Sequence, residues 1–259
     1  MDHDQFWSLI GSVSKSGTEE AKATALTQLL SRKSPEDILD FQIQFETHLN
    51  ESNTSNLWAA AKLMNGGHCS DDCFEYFRYW LISTGRETFE QALNNPESLA
   101  KLDVPMEERL PNPTNEQFGY AAVEAYEKLT GKNIHVELHN LGKSTTNLAS
   151  FDFKAYTNSV LEKRFPLLWK KYGHYSIEHE QRMHEQSQEM KANVVDVPGL
   201  GKISVGTRIH HKRFGDGVVE AIPVSGMALA SVQFNDGSHA IGLDSEFIKI
   251  TKPAKPESE

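Results

Sequence analysis

The chain has 259 residues, 38% hydrophobic and 24% charged, the proportions of a soluble globular protein long enough for one large domain or two modest ones. No stretch approaches the ~20 apolar residues of a membrane span, and the amino terminus MDHDQFWSLIG has no basic and apolar leader pattern, so membrane, secreted and fibrous classes are set aside and a cytoplasmic protein is expected. The net charge of −10 lies wholly within residues 1–190, while residues 191–259 are neutral, an imbalance that disfavours direct nucleic-acid binding and leaves room for a basic protein partner.

Chain order begins with a run of helices. Phe6, Trp7, Leu9, Ile10 and Val13 take amphipathic spacing after a start at Asp2 or Asp4. Thr18, Glu19 and Glu20 open a second helix with Leu26, Leu29 and Leu30 on its core face and Arg32 and Lys33 at its end. Ser34-Pro35-Glu36-Asp37 supplies a capping serine, a proline at the first helical position and two first-turn acids. Burial in that third helix falls to Ile38, Leu39, Phe41, Ile43, Phe45 and Leu49. A fourth runs through 57–64 to Gly66-Gly67, and a fifth starts at Ser70 and stops at Gly85.

Residues 86–113 read as two short helical pieces broken by Asn94-Asn95-Pro96 and Pro111-Asn112-Pro113. Thr114 with Gln117 has the spacing of a capping box, and Gly131 ends the helix that follows. Residues 134–138 alternate as a short strand does, or form an ordered loop. Helix resumes near Asp152 toward Leu161, with a further turn over 165–169. From 176 to 191 the chain is almost wholly polar, a solvated helix or a flexible connector.

The period then changes. Arg208-Ile209-His210-His211, 218–222, 228–234, 239–243 and 247–250 read as five short strands, with turn chemistry at Phe214-Gly215-Asp216-Gly217 and Asn235-Asp236-Gly237. Val197-Pro198-Gly199-Leu200-Gly201 reads as a linker entering them. The expected architecture is α plus small all-β: a helical bundle domain over 1–175, a polar helix or linker over 176–202, an SH3/Tudor-like five-stranded barrel over 203–251, and a disordered tail over 252–259.

Two resemblances bear on function. Gly206, Ile209, His211, Phe214-Gly215-Asp216-Gly217 and Val219, followed by Val232, Phe234 and Gly237, resemble the Tudor-like carboxy-terminal module of UvrD/PcrA-type DNA helicases. That resemblance implies a protein-interaction barrel, associated in those helicases with docking onto RNA polymerase. The chain has no GxxxxGK phosphate loop, so no helicase is implied. Phe6-Trp7-x-Leu9-Ile10, Ser34-Pro35-Glu36-x-Ile38, Leu57-Trp58-Ala59-Ala60-Ala61, and the run from Cys69-Ser70-Asp71-Asp72 through Phe77-Arg78-x-Trp80-Leu81-Ile82 to Gly85-Arg86 are similar to a bacterial domain of unknown function. Its closing signature resembles Arg164-Phe165-Pro166-x-Leu168-Trp169-x-Lys171-Tyr172-Gly173, so the similarity spans about 5–173 and implies a cytoplasmic helical domain without an assigned activity.

Asp71, Asp72, Glu75, Arg78, Trp80 and Arg86 are the candidate ligand-binding set, because paired carboxylates and arginines grip charged ligands. The same acids also suit an ordinary helix start, and Glu75 with Arg78 an ordinary surface pair. His68, Cys69 and Cys73 are weak metal candidates with no second ligand pair at matching spacing nearby, a pair that His135 and His139 could supply from a distance. His174, His179 and His184 recur every five residues, off helical register. In the β part His211, Arg213, Phe214 and Asp216 are the candidate protein-interaction residues. No GxSxG, HExxH, GxGxxG or paired CxxC occurs, no cofactor is expected, and the catalytic residues are unassigned. The reading is a non-catalytic cytoplasmic adaptor with a protein partner, no membrane and no direct nucleic-acid contact, its oligomeric state open. The alternatives are an enzyme or ligand sensor around Asp71, Arg78 and Arg86, or an acidic inhibitor of immunity type.

Overall fold

The computed structural model describes residues 1–15, 17–143, 156–223, 229–244 and 246–251. The chain divides into two compact units, Met1–His179 and Glu180–Glu259. No helix among the described residues is long and apolar enough to cross a membrane.

The first unit is helical: α1 (His3–Val13), α2 (Glu19–Leu30), α3 (Pro35–Glu51), α4 (Ser55–Met64), α5 (Asp71–Ser83), α6 (Arg86–Asn94), a 3-10 turn (Pro96–Lys101), α7 (Glu116–Thr130), α8 (Ile134–Asn140), α9 (Asn158–Arg164) and the start of α10 (Pro166–Ala192). Local chemistry sets most of the starts. Asp2 accepts from the Gln5 amide at 2.8 Å while the Gln5 side chain accepts from the Asp2 amide at 2.9 Å, a closed capping box. Thr18, Ser34, Thr54 and Ser70 each accept an amide hydrogen in the first turn of α2, α3, α4 and α5, each such cap worth about 1 kcal/mol. The apolar faces meet in one core in which Phe6, Phe41, Phe45, Phe74, Phe77, Phe89 and Phe118 are all fully buried.

Three readings of this region are corrected. The cap of α7 is Asn115, not Thr114: Asn115 Oδ1 accepts from the Phe118 amide at 3.1 Å, whereas the Thr114 hydroxyl donates to Asn112 at 2.9 Å. Residues 134–138 are helical in α8, because Asn133 caps the segment and Ile134 and Leu138, one turn apart, supply its buried side. An unforeseen hairpin, β1 (Met106–Glu107) with β2 (Leu110–Pro111), turns through Glu108 and Arg109 at φ of 48° and 72°. Residues 152–155, where helix was expected to resume, lie outside the described residues, and so does the tail 252–259.

Gly67 illustrates how closely the elements approach. Its φ is +89°, and a Cβ there would lie 2.5 Å from the Ser176 Cα of α10, so only glycine suits both the turn and the contact. Beyond Ser176 the helix continues unbroken to Ala192 with mostly exposed side chains, which decides between helix and flexible connector for the polar run.

In the second unit the end of α10 is followed by a hairpin, β3 (Val194–Val197) and β4 (Gly201–Ser204), so the Pro198–Leu200 stretch read as a linker is its turn. The remaining strands are β5 (Arg208–His211), β6 (Gly215–Ala221), β7 (Leu229–Phe234), β8 (Gly237–Gly242) and β9 (Ile248–Ile250). All pairings are antiparallel, in the order β8-β7-β6-β5-β9. The expected closed barrel is therefore an open five-stranded sheet: the end strands β8 and β9 share no ladder among the described residues. Closure needs a paired seam, and β9 is only three residues long. Ile209, Val219, Val232, Ile241 and Ile248 fill one core face.

Candidate functional site

The six residues proposed for ligand binding lie in different surroundings. Asp71 and Asp72 are exposed in the first turn of α5. Glu75 receives the Tyr79 hydroxyl one turn on. Arg78 Nη1 donates to the Leu49 carbonyl at 3.0 Å, and its guanidinium lies 4.8 Å from the Phe74 ring centroid. Arg78 thus satisfies a carbonyl near the end of α3, and burial lowers its pKa. Trp80, about 200° round the helix from Arg78, is buried against Phe77 with centroids 5.5 Å apart. Arg86 bridges Asp4 at 2.8 Å and Glu90 at 2.7 Å. Both arginines thus already have partners, Arg78 a backbone carbonyl and Arg86 two carboxylates. Arg86 and Glu90 do border a shallow groove of about 630 Å³ along α6, which Asn94 and Ser98 extend.

A site that sequence reasoning missed lies on α3. His48 is 2% exposed and packs among His3, Phe6, Trp7 and Phe89, with ring centroids 4.8 to 5.4 Å away. Its Nδ1 meets Glu51 at 2.7 Å, and its buried Nε2 has no hydrogen-bond partner among the described residues. Burial lowers the His48 pKa, against the opposing pull of Glu51. The available signal was position: 41, 45 and 48 share one helical stripe, so a titratable ring stands in line with two phenylalanines.

The cysteines are brought together and the proposed metal partners are not. Cys69 and Cys73 have sulfurs 2.9 Å apart. His68 stacks instead on His179 at 5.6 Å, and His135 faces Glu46 at 3.6 Å. Among the described residues no group of three His, Cys, Asp or Glu side chains is arranged to hold a metal ion.

In the second unit the His-x-x-Phe-Gly-x-Gly run builds a turn. His211 Nδ1 accepts from the amides of Arg213 at 3.1 Å and Phe214 at 3.3 Å, so the motif histidine organises the loop. Partial desolvation, with Arg213 and His210 beside it, lowers its pKa. Gly215 takes φ of +79°, and a Cβ on Gly217 would lie 2.6 Å from the Phe234 ring. Phe214 packs against Phe234 at 5.4 Å and stacks on His239 at 4.4 Å. Arg213 lies over the Phe214 ring at 5.2 Å, Lys212 over Phe247 at 5.6 Å, and Asp216 pairs with His210 at 2.7 Å. Phe247 is 50% exposed, so the turn presents cations and an aromatic ring to solvent.

Helical capping and one aromatic core thus define an α-helical unit followed by a small antiparallel sheet. Residues 1–128 match the model of a family described as a protein of unknown function (DUF4240). The match takes in α1 to α6 and most of α7, in agreement with the expected helical domain of unknown function, but ends short of the signature proposed at 164–173. No curated protein and no solved structure matches the chain.

Proposed function

We propose that the protein is a non-catalytic interaction protein of the bacterial cytoplasm, its helical unit recognising one target and its carboxy-terminal sheet docking a second protein. The observation that carries this reading is the surface at 212–214, where Lys212 covers the half-exposed Phe247 and Arg213 covers Phe214. Cations over aromatic rings suit a protein segment with acidic and apolar side chains. The outer edges of β8 and β9 offer backbone groups to an added strand. The Tudor-like pattern around His211 and Phe214-Gly215-x-Gly217 supports a partner from transcription or DNA-repair machinery.

The test is affinity capture from a bacterial lysate with the full chain and with a full-chain variant carrying Lys212→Glu, Arg213→Glu and Phe247→Ser, at two salt concentrations. A partner held by the wild type and lost by the variant, at unchanged circular dichroism, is the expected result. Recovery of the same proteins by both chains, or of none by either, refutes the docking role.

A second reading, ligand sensing by the helical unit, is favoured by the buried, unpartnered Nε2 of His48. It expects the His48 ring resonances to shift when a metabolite mixture is added, and unchanged resonances count against it.

A further inference from the structure

Cys69 immediately precedes Ser70, the cap of the 13-residue helix α5, and Cys73 is that helix's third residue. Their sulfurs are 2.9 Å apart, and both side chains are partly exposed. Neither backbone segment is loose. The Trp58 indole donates to the Cys69 carbonyl at 3.3 Å, and the Cys73 amide donates to Ser70 Oγ at 3.2 Å. A disulfide sulfur pair stands about 2.04 Å apart, so closing the bond requires the sulfurs to approach by only about 0.9 Å. Two thiols already at that distance are far better placed for each other than for a tetrahedral metal centre, which needs two further donors.

We propose that Cys69 and Cys73 form a redox-active dithiol, oxidised by hydroperoxides to an intramolecular disulfide and restored by thiol reductants. The roles are unequal. Cys73 accepts the hydrogen bond from the Cys69 thiol and lies in the first turn of α5, which favours its thiolate; Cys69, the donor and partly desolvated, holds its proton. The Cys73 sulfur attacks one peroxide oxygen, forming an S–O bond as the O–O bond breaks, and the leaving alkoxide takes a proton to become an alcohol. Cys69 then gives up its proton and its sulfur attacks Cys73. The S–S bond forms, the S–O bond breaks, and the departing hydroxide takes that proton as water. Two thiols lose two electrons in all, and the hydroperoxide becomes alcohol and water. Two equivalents of a reducing thiol reverse the state by exchange, ending as their own disulfide.

The full-length chain is treated with hydrogen peroxide, quenched with acid, alkylated with a maleimide and weighed intact. Both thiols are expected to disappear together with a loss of two hydrogen atoms, and dithiothreitol to return both. Cys69→Ser is expected to stop at a sulfenic acid on Cys73 that dimedone traps, and Cys73→Ser to react about tenfold more slowly than wild type. Oxygen addition to the wild type without hydrogen loss, independent loss of the two thiols, or undiminished reaction of Cys73→Ser overturns the assignment. The wild-type mass change needs no variant to fold, and circular dichroism qualifies each serine chain.

Discussion

Replacing Gly119 with alanine tests whether α5 and α7 are locked at the separation described. A Cβ at position 119 would lie 2.2 Å from Tyr79 Cε2 and 2.4 Å from Cδ2, far inside ordinary contact. Tyr79 is 7% exposed, and its hydroxyl is held by Glu75, so the ring can yield only by breaking that bond or parting the helices. Overpacking at the severe end costs about 3 kcal/mol, and a lost hydrogen bond about 1 kcal/mol. Alanine returns about 1 kcal/mol of helix propensity over glycine. The net expectation is destabilisation by roughly 3 kcal/mol, or a fall in Tm of about 6–12 °C for a unit of this size. Urea unfolding of wild type, Gly119→Ala, Tyr79→Ala and the double variant measures it. Tyr79→Ala leaves a large hole, so adding Gly119→Ala to it is expected to cost nothing, a coupling of about 3 kcal/mol. A neutral or stabilising Gly119→Ala single variant, or additive effects, refutes the close approach.

His48 makes stability sensitive to acid. Its folded pKa lies below the ordinary 6.5, so the unfolded chain binds more protons as pH falls. The stability linked to His48 is full above about 6.5 and declines as pH drops from there toward the depressed folded value. Glu51 on α3 and Glu90 on α6 oppose that depression, and His3 on α1 reinforces it. Thermal melts from pH 8 to 5 are expected to fall more steeply for wild type than for His48→Gln, and parallel profiles refute the linkage. At the start of α7, Asn115→Ala is expected to cost about 2 kcal/mol, since Asn115 both caps the helix and donates to Glu19 at 2.9 Å. Thr114→Ala is expected to cost less than about 0.5 kcal/mol, and equal losses in urea melts would return the cap to Thr114.

How much was legible follows the range of the forces involved. Asp2, Thr18, Ser34 and Ser70 cap helices through amides three residues away, so their role is written in a few consecutive letters. The alternation of 229–234 and the Asn235-Asp236 turn are equally local, and they correctly mark the β7–β8 hairpin. Residues 134–138 were ambiguous for the same reason: five letters fit a strand or a helix turn, and burial of Ile134 and Leu138 on one side settled it. The candidate site was the least legible part. Arg78 and Arg86 look alike in sequence, yet one serves a backbone carbonyl of α3 and the other a carboxylate of α1, partners that sequence separation hides.

Composition, caps and periodicity by themselves therefore determined a helical region followed by short antiparallel strands, because those signals act within one or two turns of chain. Tertiary structure alone decided that the sheet stays open, that His48 is stranded among aromatic rings, and that Cys69 and Cys73 face one another. Each of these depends on where another segment or the next turn places its atoms, and for His48 also on burial, which removes the water that would otherwise solvate the ring nitrogen.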